Sequence, residues 1–199
     1  MHRWLSIGLL LLLQPLMAAD WENPAERYQD AYQAYLSARC PIADDGMAHY
    51  AYFARDREAI RDHPFLDAER FDGAQIMYSW RDLEPERGHY DFAQLADDLS
   101  YLAEHGKTLF IQLQDATFYN QNLSAPDYLR SAEFDGGMIQ QYSDDGTPEG
   151  WVAKRWNAAV RERFAALMTA LGEAFDGEIA GINLQESAIG VSADYDPSF

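Results

Sequence analysis

The run YSWRDLEPERGHYDF, residues 78–92, lies at the centre of a longer stretch, Gly73 to Phe118, in which an apolar, an amphipathic and a second apolar run follow one another with almost no slack. Gly73 to Trp80 is rich in strand formers, whereas Phe92, Leu95, Ala96, Leu99, Leu102 and Ala103 recur at the spacing of one helix face. Asp91, with Gln94 three residues on, predicts a capping box at the start of that helix, and Gly106 predicts a left-handed C-terminal residue. Lys107 then leads into TLFIQLQD, a second strand. Strand, helix and strand in so short a span make a crossover between parallel strands, the unit of α/β folds.

Alternation along TLFIQLQD sharpens the architecture. Leu109, Ile111 and Leu113 face one side, and Phe110, Gln112 and Gln114 face the other. An open doubly wound sheet, covered by helices on both faces, favours near-continuous apolar strands. A face that turns polar towards the strand's exit predicts instead the interior of a (β/α)8 barrel with its site at the carboxyl ends.

Outward from this unit towards the amino terminus, MAHYAYFA reads as a first barrel strand, with His49 a candidate to face a ligand at its end. A packed histidine is the alternative. Asp56 to Arg61 predicts a short helical connector that Pro64 interrupts, and Pro24 to Ala38 carries Tyr28, Ala31, Tyr32 and Tyr35 at helical spacing. His2 and Arg3, the apolar run Trp4 to Leu13 and the small exit Met17-Ala18-Ala19 predict a secretory signal peptide over residues 1–19, because the run is shorter than the roughly 20 apolar residues that span a bilayer. Residues 20–199 are then one exported domain, secreted or periplasmic, with no stable membrane anchor after cleavage. With Cys40 as its single cysteine the chain forms no internal disulfide, and no cysteine pair or close histidine cluster argues for a metal. No cofactor is expected.

The formal net charge is −18, from 15 basic and 33 acidic residues. Such a surface repels nucleic acid and anionic lipid and accommodates a neutral ligand more easily.

Towards the carboxyl terminus, Thr117 to Gly150 predicts a long irregular loop at the exit of a strand, where α/β folds place ligands. A helix over Lys154 to Phe175 follows, with Trp156, Val160, Phe164, Leu167, Met168, Leu171 and Phe175 as its core stripe and Asp176-Gly177 as its end. EIAGINLQES is a third clear strand, carrying Asn183, Gln185 and Glu186 at its exit.

Trp80, Glu84, Pro85, Gly88, Tyr90, Asp91 and Phe92, followed by the helix, the strand and SAPDYL, resemble the second and third βα units of clan A glycoside hydrolases, especially the family 42 β-galactosidase-like enzymes. The resemblance covers about Gly46 to Gly190. In that family the fourth strand ends in an Asn-Glu pair whose Glu is the general acid/base and whose Asn binds the sugar 2-hydroxyl. It therefore implies that Glu186 is the catalytic acid/base, with Gln185 departing from Asn and Asn183 a second candidate for the hydroxyl contact. Retaining hydrolysis also needs a carboxylate nucleophile about 5 Å away, which the family takes from strand seven. The resemblance then covers only about four of eight βα units, an incomplete, roughly half barrel, which predicts either a missing carboxyl-terminal half or a homo-oligomer, and no activity for the chain as given.

Around the mouth, Trp80 and Tyr78 are candidates to stack on a sugar, with the core as the alternative. Asp115 is a candidate to bind a sugar hydroxyl, to pair with Glu186 or to cap a loop. Tyr119 and Trp151 are further aromatic candidates, and Glu84 is expected to be structural. The function these readings imply is an exported O-glycosyl hydrolase acting on β-linked sugars. A noncatalytic carbohydrate-binding or surface-polysaccharide protein on the same fold is the alternative.

Overall fold

In chain order the strands are β1 (Tyr50–Ala54), β2 (Gly73–Ser79), β3 (Thr108–Gln114), β4 (Met138–Tyr142), β5 (Pro148–Ala153) and β6 (Gly181–Leu184). The α-helices are α1 (Trp80–Leu83), α2 (Ala93–Glu104) and α3 (Ala158–Phe175). The computed structural model describes residues 30–35, 46–185, 189–191 and 194, and the chain divides into two units, Met1–Asp45 and Gly46–Phe199. In the first unit the described part of the expected helix is a 3-10 turn, Ala31–Tyr35. The expected signal peptide, Cys40 and Glu186 lie outside the described residues.

β1, β2, β3 and β6 form one sheet in that order, every pair parallel. Each strand joins the edge left by the one before it, so the order never reverses as it does in a doubly wound sheet. Alternation decides which residues go outward: Ala74, Ile76 and Tyr78 of β2 and Leu109, Ile111 and Leu113 of β3 are buried in one core with Leu95 and Leu102 of α2 and Leu167 and Leu171 of α3.

The other face carries the polar side chains, and they meet in layers. Tyr50 of β1 packs edge-on against Phe110 of β3, with ring centroids 5.3 Å apart. One step higher the Tyr52 hydroxyl donates to Gln112 Oε1 at 2.8 Å, and above that Arg55 Nε donates to Gln114 Oε1 at 2.9 Å. Gln75 of β2 reaches across to Asn183 of β6 at 2.9 Å. β1 and β3 thus share layers, and β2 and β6, the fourth strand of the sheet, share another. Side chains of alternate strands meet in this way only when the sheet curls about an axis, and this is how a (β/α)8 barrel fills its interior.

Three local expectations change. The segment from Thr117 to Gly150 is not irregular: it holds two 3-10 turns, Asp127–Arg130 and Ala132–Phe134, and the first part of an antiparallel hairpin, β4–β5. Ala116 bridges Val152, and this fastens the hairpin to the exit of β3. The last long helix begins at Ala158 rather than Lys154, because Asn157 Oδ1 accepts from the Val160 amide at 3.1 Å and so caps it there. α2 begins at Ala93, and Asp91 Oδ1 accepts from the Ala93 amide at 3.0 Å without itself occupying the capping position. Gly106 takes the left-handed conformation expected of it, with φ +68°.

Candidate functional site

A cavity of about 410 Å³ opens at the carboxyl ends of β1, β2 and β3. Its wall sets polar groups among the apolar side chains of Met77, Leu83 and Leu123: Arg55 follows β1, Ser79 ends β2, Asp82 lies in α1, Gln114 ends β3, and Gln121 and Asn122 come from the turn beyond it. Ser79 starts α1, its hydroxyl accepting from the Asp82 amide at 3.1 Å and donating to the Asp82 carboxylate at 2.6 Å. The Arg81 amide donates to Ser124 O at 2.8 Å, which draws the loop after β3 over the end of β2. Ser124 itself is buried at the cavity wall, and its hydroxyl has no hydrogen-bond partner among the described residues.

The acid at the corner after β2, Glu84, is fully buried and acts as a structural hub, as expected. Its carboxylate accepts from Trp80 Nε1 and the Gly88 amide at 2.8 Å and from the Tyr128 hydroxyl at 2.9 Å, and it pairs with Arg163 of α3. Burial, assisted by the bond to Glu84, pushes the Tyr128 hydroxyl up to about 12. One carboxylate thus ties the turn after β2, the loop after β3 and α3 together.

The same network corrects the expectation for Trp80, and a second one, around Asp98, holds Tyr78. Trp80 is not on the strand but in α1, fully buried, bonded to Glu84 and edge-on to Phe164 at 5.0 Å. Tyr78 points outward with Ile76 and Ala74, and its hydroxyl donates to the buried Asp98 at 2.8 Å. Burial raises the Tyr78 hydroxyl above its ordinary range, so it stays a donor to the Asp98 carboxylate, which Arg57 and Arg61 neutralise. Both rings are buried in the core; Trp80 is fully enclosed, whereas Tyr78, 5% exposed, still borders the cavity wall.

His49 is corrected too. It precedes β1, and its amide and carbonyl engage Asp72 just before β2, so it marks the amino ends of the strands, opposite the cavity. Asp115 does stand at the exit of β3, but both its oxygens are held by Arg155, at 2.6 and 2.7 Å. That bond raises the Arg155 guanidinium above its ordinary value. A buried, bidentate carboxylate of this kind fixes the start of the β5–α3 connection and is not free to attack an anomeric carbon.

Asn183 and Gln185 lie on the inner face of the fourth strand as alternation requires, Asn183 bonded to Gln75 and Gln185 Oε1 accepting from the Ala116 amide at 3.4 Å. Beyond Glu186 the chain is held again: the Tyr142 amide donates to Gly190 O at 2.8 Å and the Gly190 amide to Gln141 Oε1 at 2.9 Å. Gly190 is required there, because a Cβ would lie 2.3 Å from Tyr142 O. Anchors therefore stand at Gln185 and at Gly190. Arg55, Ser124, Gln121 and Asn122 were not singled out from sequence. For Arg55 the signal was its place directly after the first strand.

No protein-family model and no curated protein matches the sequence. Among solved structures the chain is similar to a cold-adapted β-galactosidase from Rahnella sp. R3, with 18% identity, a TM-score of 0.48 and coverage of 70% of this chain and 21% of that one. It is also similar to a β-galactosidase from the haloarchaeon Halorubrum lacusprofundi, at 22% identity and TM-score 0.47, over 69% of this chain and 21% of that one. An exo-β-1,4-mannosidase from Opitutaceae bacterium strain TAV5 matches at 17% identity and TM-score 0.41, over 74% and 28%. The chain spans less than a third of the length of each of these structures. The fold assignment rests on the strand order and on the layers shared by alternate strands. This is part of a TIM-type barrel. The barrel wall places the cavity at its carboxyl mouth and Gln185 on the neighbouring stave.

Proposed function

We propose that this chain is the amino-terminal part of an exported glycoside hydrolase that acts on β-linked sugars by a retaining mechanism, with Glu186 as general acid/base. The observation that carries the reading is the cavity at the carboxyl ends of β1–β3, where amide, hydroxyl and carboxylate groups alternate with apolar side chains beside the strand that leads through Asn183 and Gln185. Hydroxyl-rich neutral ligands are recognised by such amide, hydroxyl and carboxylate groups, and strand exits are where barrels build their sites. Glu186 would protonate the leaving oxygen and then, as the conjugate base, activate water. The nucleophile is a different acid from Asp115, whose carboxylate Arg155 occupies.

The test is hydrolysis of methyl and nitrophenyl β-glycosides by the protein at its full natural length. Replacing Glu186 by Gln should cut turnover of the poor methyl leaving group by about 10²-fold or more, while binding persists. Undiminished hydrolysis would remove Glu186 from the mechanism. The engagement of Gln185 by a backbone amide favours a second reading, a carbohydrate-binding protein without turnover, because it draws that amide towards the loop after β3. Binding of oligosaccharides by a wild-type protein that hydrolyses none of them would support it.

A further inference from the structure

We infer that the turn at residues 117–122 is a stacking subsite for a second sugar unit, so that the ligand is a neutral oligosaccharide rather than a single sugar. The inference rests on the carbohydrate reading above and adds to it the length and charge of the ligand. Phe118 and Tyr119 are 39% and 61% exposed, although aromatic side chains of this size are ordinarily drawn into a core. Thr117 on one side of them and Gln121 and Asn122 on the other line the cavity.

The backbone that presents the two rings is held from several directions. The Thr117 amide donates to Trp151 O at 2.8 Å, Gln141 Nε2 to Thr117 O at 2.7 Å, and the Thr117 hydroxyl to Asn122 O at 2.8 Å. Asn120 donates to Pro148 O at 2.8 Å and accepts from Gln140 Nε2 at 2.7 Å. β5 lies so close that a Cβ at Gly150 would come within 1.9 Å of Thr117 O. A firmly held turn with exposed aromatic rings is preorganised: little backbone freedom is left to lose when a ligand stacks on it.

A second observation points into the same cavity. The Ser124 hydroxyl, on a residue only 2% exposed, has no partner among the described residues. A buried hydroxyl without a partner is costly, and a ligand hydroxyl reaching the wall would satisfy it. Asp82 and Asp91 at the same wall are matched by Arg55 and Arg57, so the lining has no excess charge to draw an ionic sugar, and the chain's net charge of −18 weighs against an anionic one. The pyranose ring of a neutral β-linked sugar offers an apolar C–H face to an aromatic ring and hydroxyls to amides and serine.

The experiment is calorimetric titration of the protein with neutral β-linked gluco- and galacto-oligosaccharides of one to five units. Affinity should rise from one unit to two or three. The double variant Phe118→Ala, Tyr119→Ala should lose about tenfold in affinity for the longer ligands, the scale expected for stacked aromatic contacts, and keep its affinity for the single sugar. Tyr119→Trp should retain the length dependence, and thermal unfolding of each variant checks that the fold is intact. Saccharide binding without length dependence, or a double variant equal to wild type on the longer ligands, overturns the subsite and leaves the carbohydrate reading standing. Failure of every saccharide to bind overturns both.

Discussion

Glu84 shows how a residue that looks like part of a functional motif can serve the fold. Its carboxylate is buried with four donors around it, and one of them, Arg163, lies 79 residues away in sequence. Replacing Glu84 by Gln leaves the partly buried Arg163 guanidinium without its counter-charge, and breaking a buried pair in this way costs on the order of 3–5 kcal/mol. The urea midpoint should fall accordingly, and a change below about 1 kcal/mol would mean that the pair behaves as a surface one. That Glu84 is structural was legible from the turn it sits in, but Arg163 was not: it lies in an amphipathic helix where a long basic side chain reads as solvated. Trp80 and Tyr78 teach a related lesson. The alternation that turns Gln112 inward also turns Tyr78 outward once Ala74 and Ile76 are counted, and Trp80 falls after the strand has already become a helix.

Among the elements, the β4–β5 hairpin has the widest reach. It closes on Ala116, packs Ile139 and Val152 with Ala116 in a small second core, and holds the chain beyond Glu186 through Gln141 and Tyr142. Gly190→Ala forces a methyl group against Tyr142 O, which should cost on the order of 1–3 kcal/mol and loosen that junction. Hydrogen exchange at the Tyr142 amide is the measurement; unchanged protection would show that the junction yields without cost. The hairpin was hidden in the sequence because β4 and β5 are short, lie among glycines, aspartates and prolines, and depend for their place on a long-range partner, Ala116. The β2–α2–β3 unit was legible for the opposite reason: its strands, helix face and glycine terminus are all set by local periodicity and chemistry.

At the scale of the whole molecule, the sheet ends at β1 on one side and β6 on the other within the described residues. Leu184, on the outer side of β6, is 54% exposed beside a hollow of about 480 Å³ lined by Val160, Phe164 and Met168. An open parallel edge next to an apolar hollow promotes association. The 199-residue chain should therefore scatter light as a species larger than its 22.6 kDa monomer, and Leu184→Glu should shift it towards the monomer. A wild-type chain that is monomeric at micromolar concentration would show that these surfaces are already covered. The barrel class was readable from one strand's alternating glutamines, whereas the layering needed the partners on alternate strands. The Glu84–Arg163 pair also sets an order of events in time. β1, β2 and β3 are sheet neighbours in chain order and can assemble early. The corner after β2 holds an uncompensated carboxylate until α3 delivers Arg163, because its other donors, Trp80, Gly88 and Tyr128, are neutral, and burying such a charge is costly. Completion of the first half of this chain therefore waits on the second, and a ribosome that pauses before Arg163 would hold a nascent chain whose central corner is still wet.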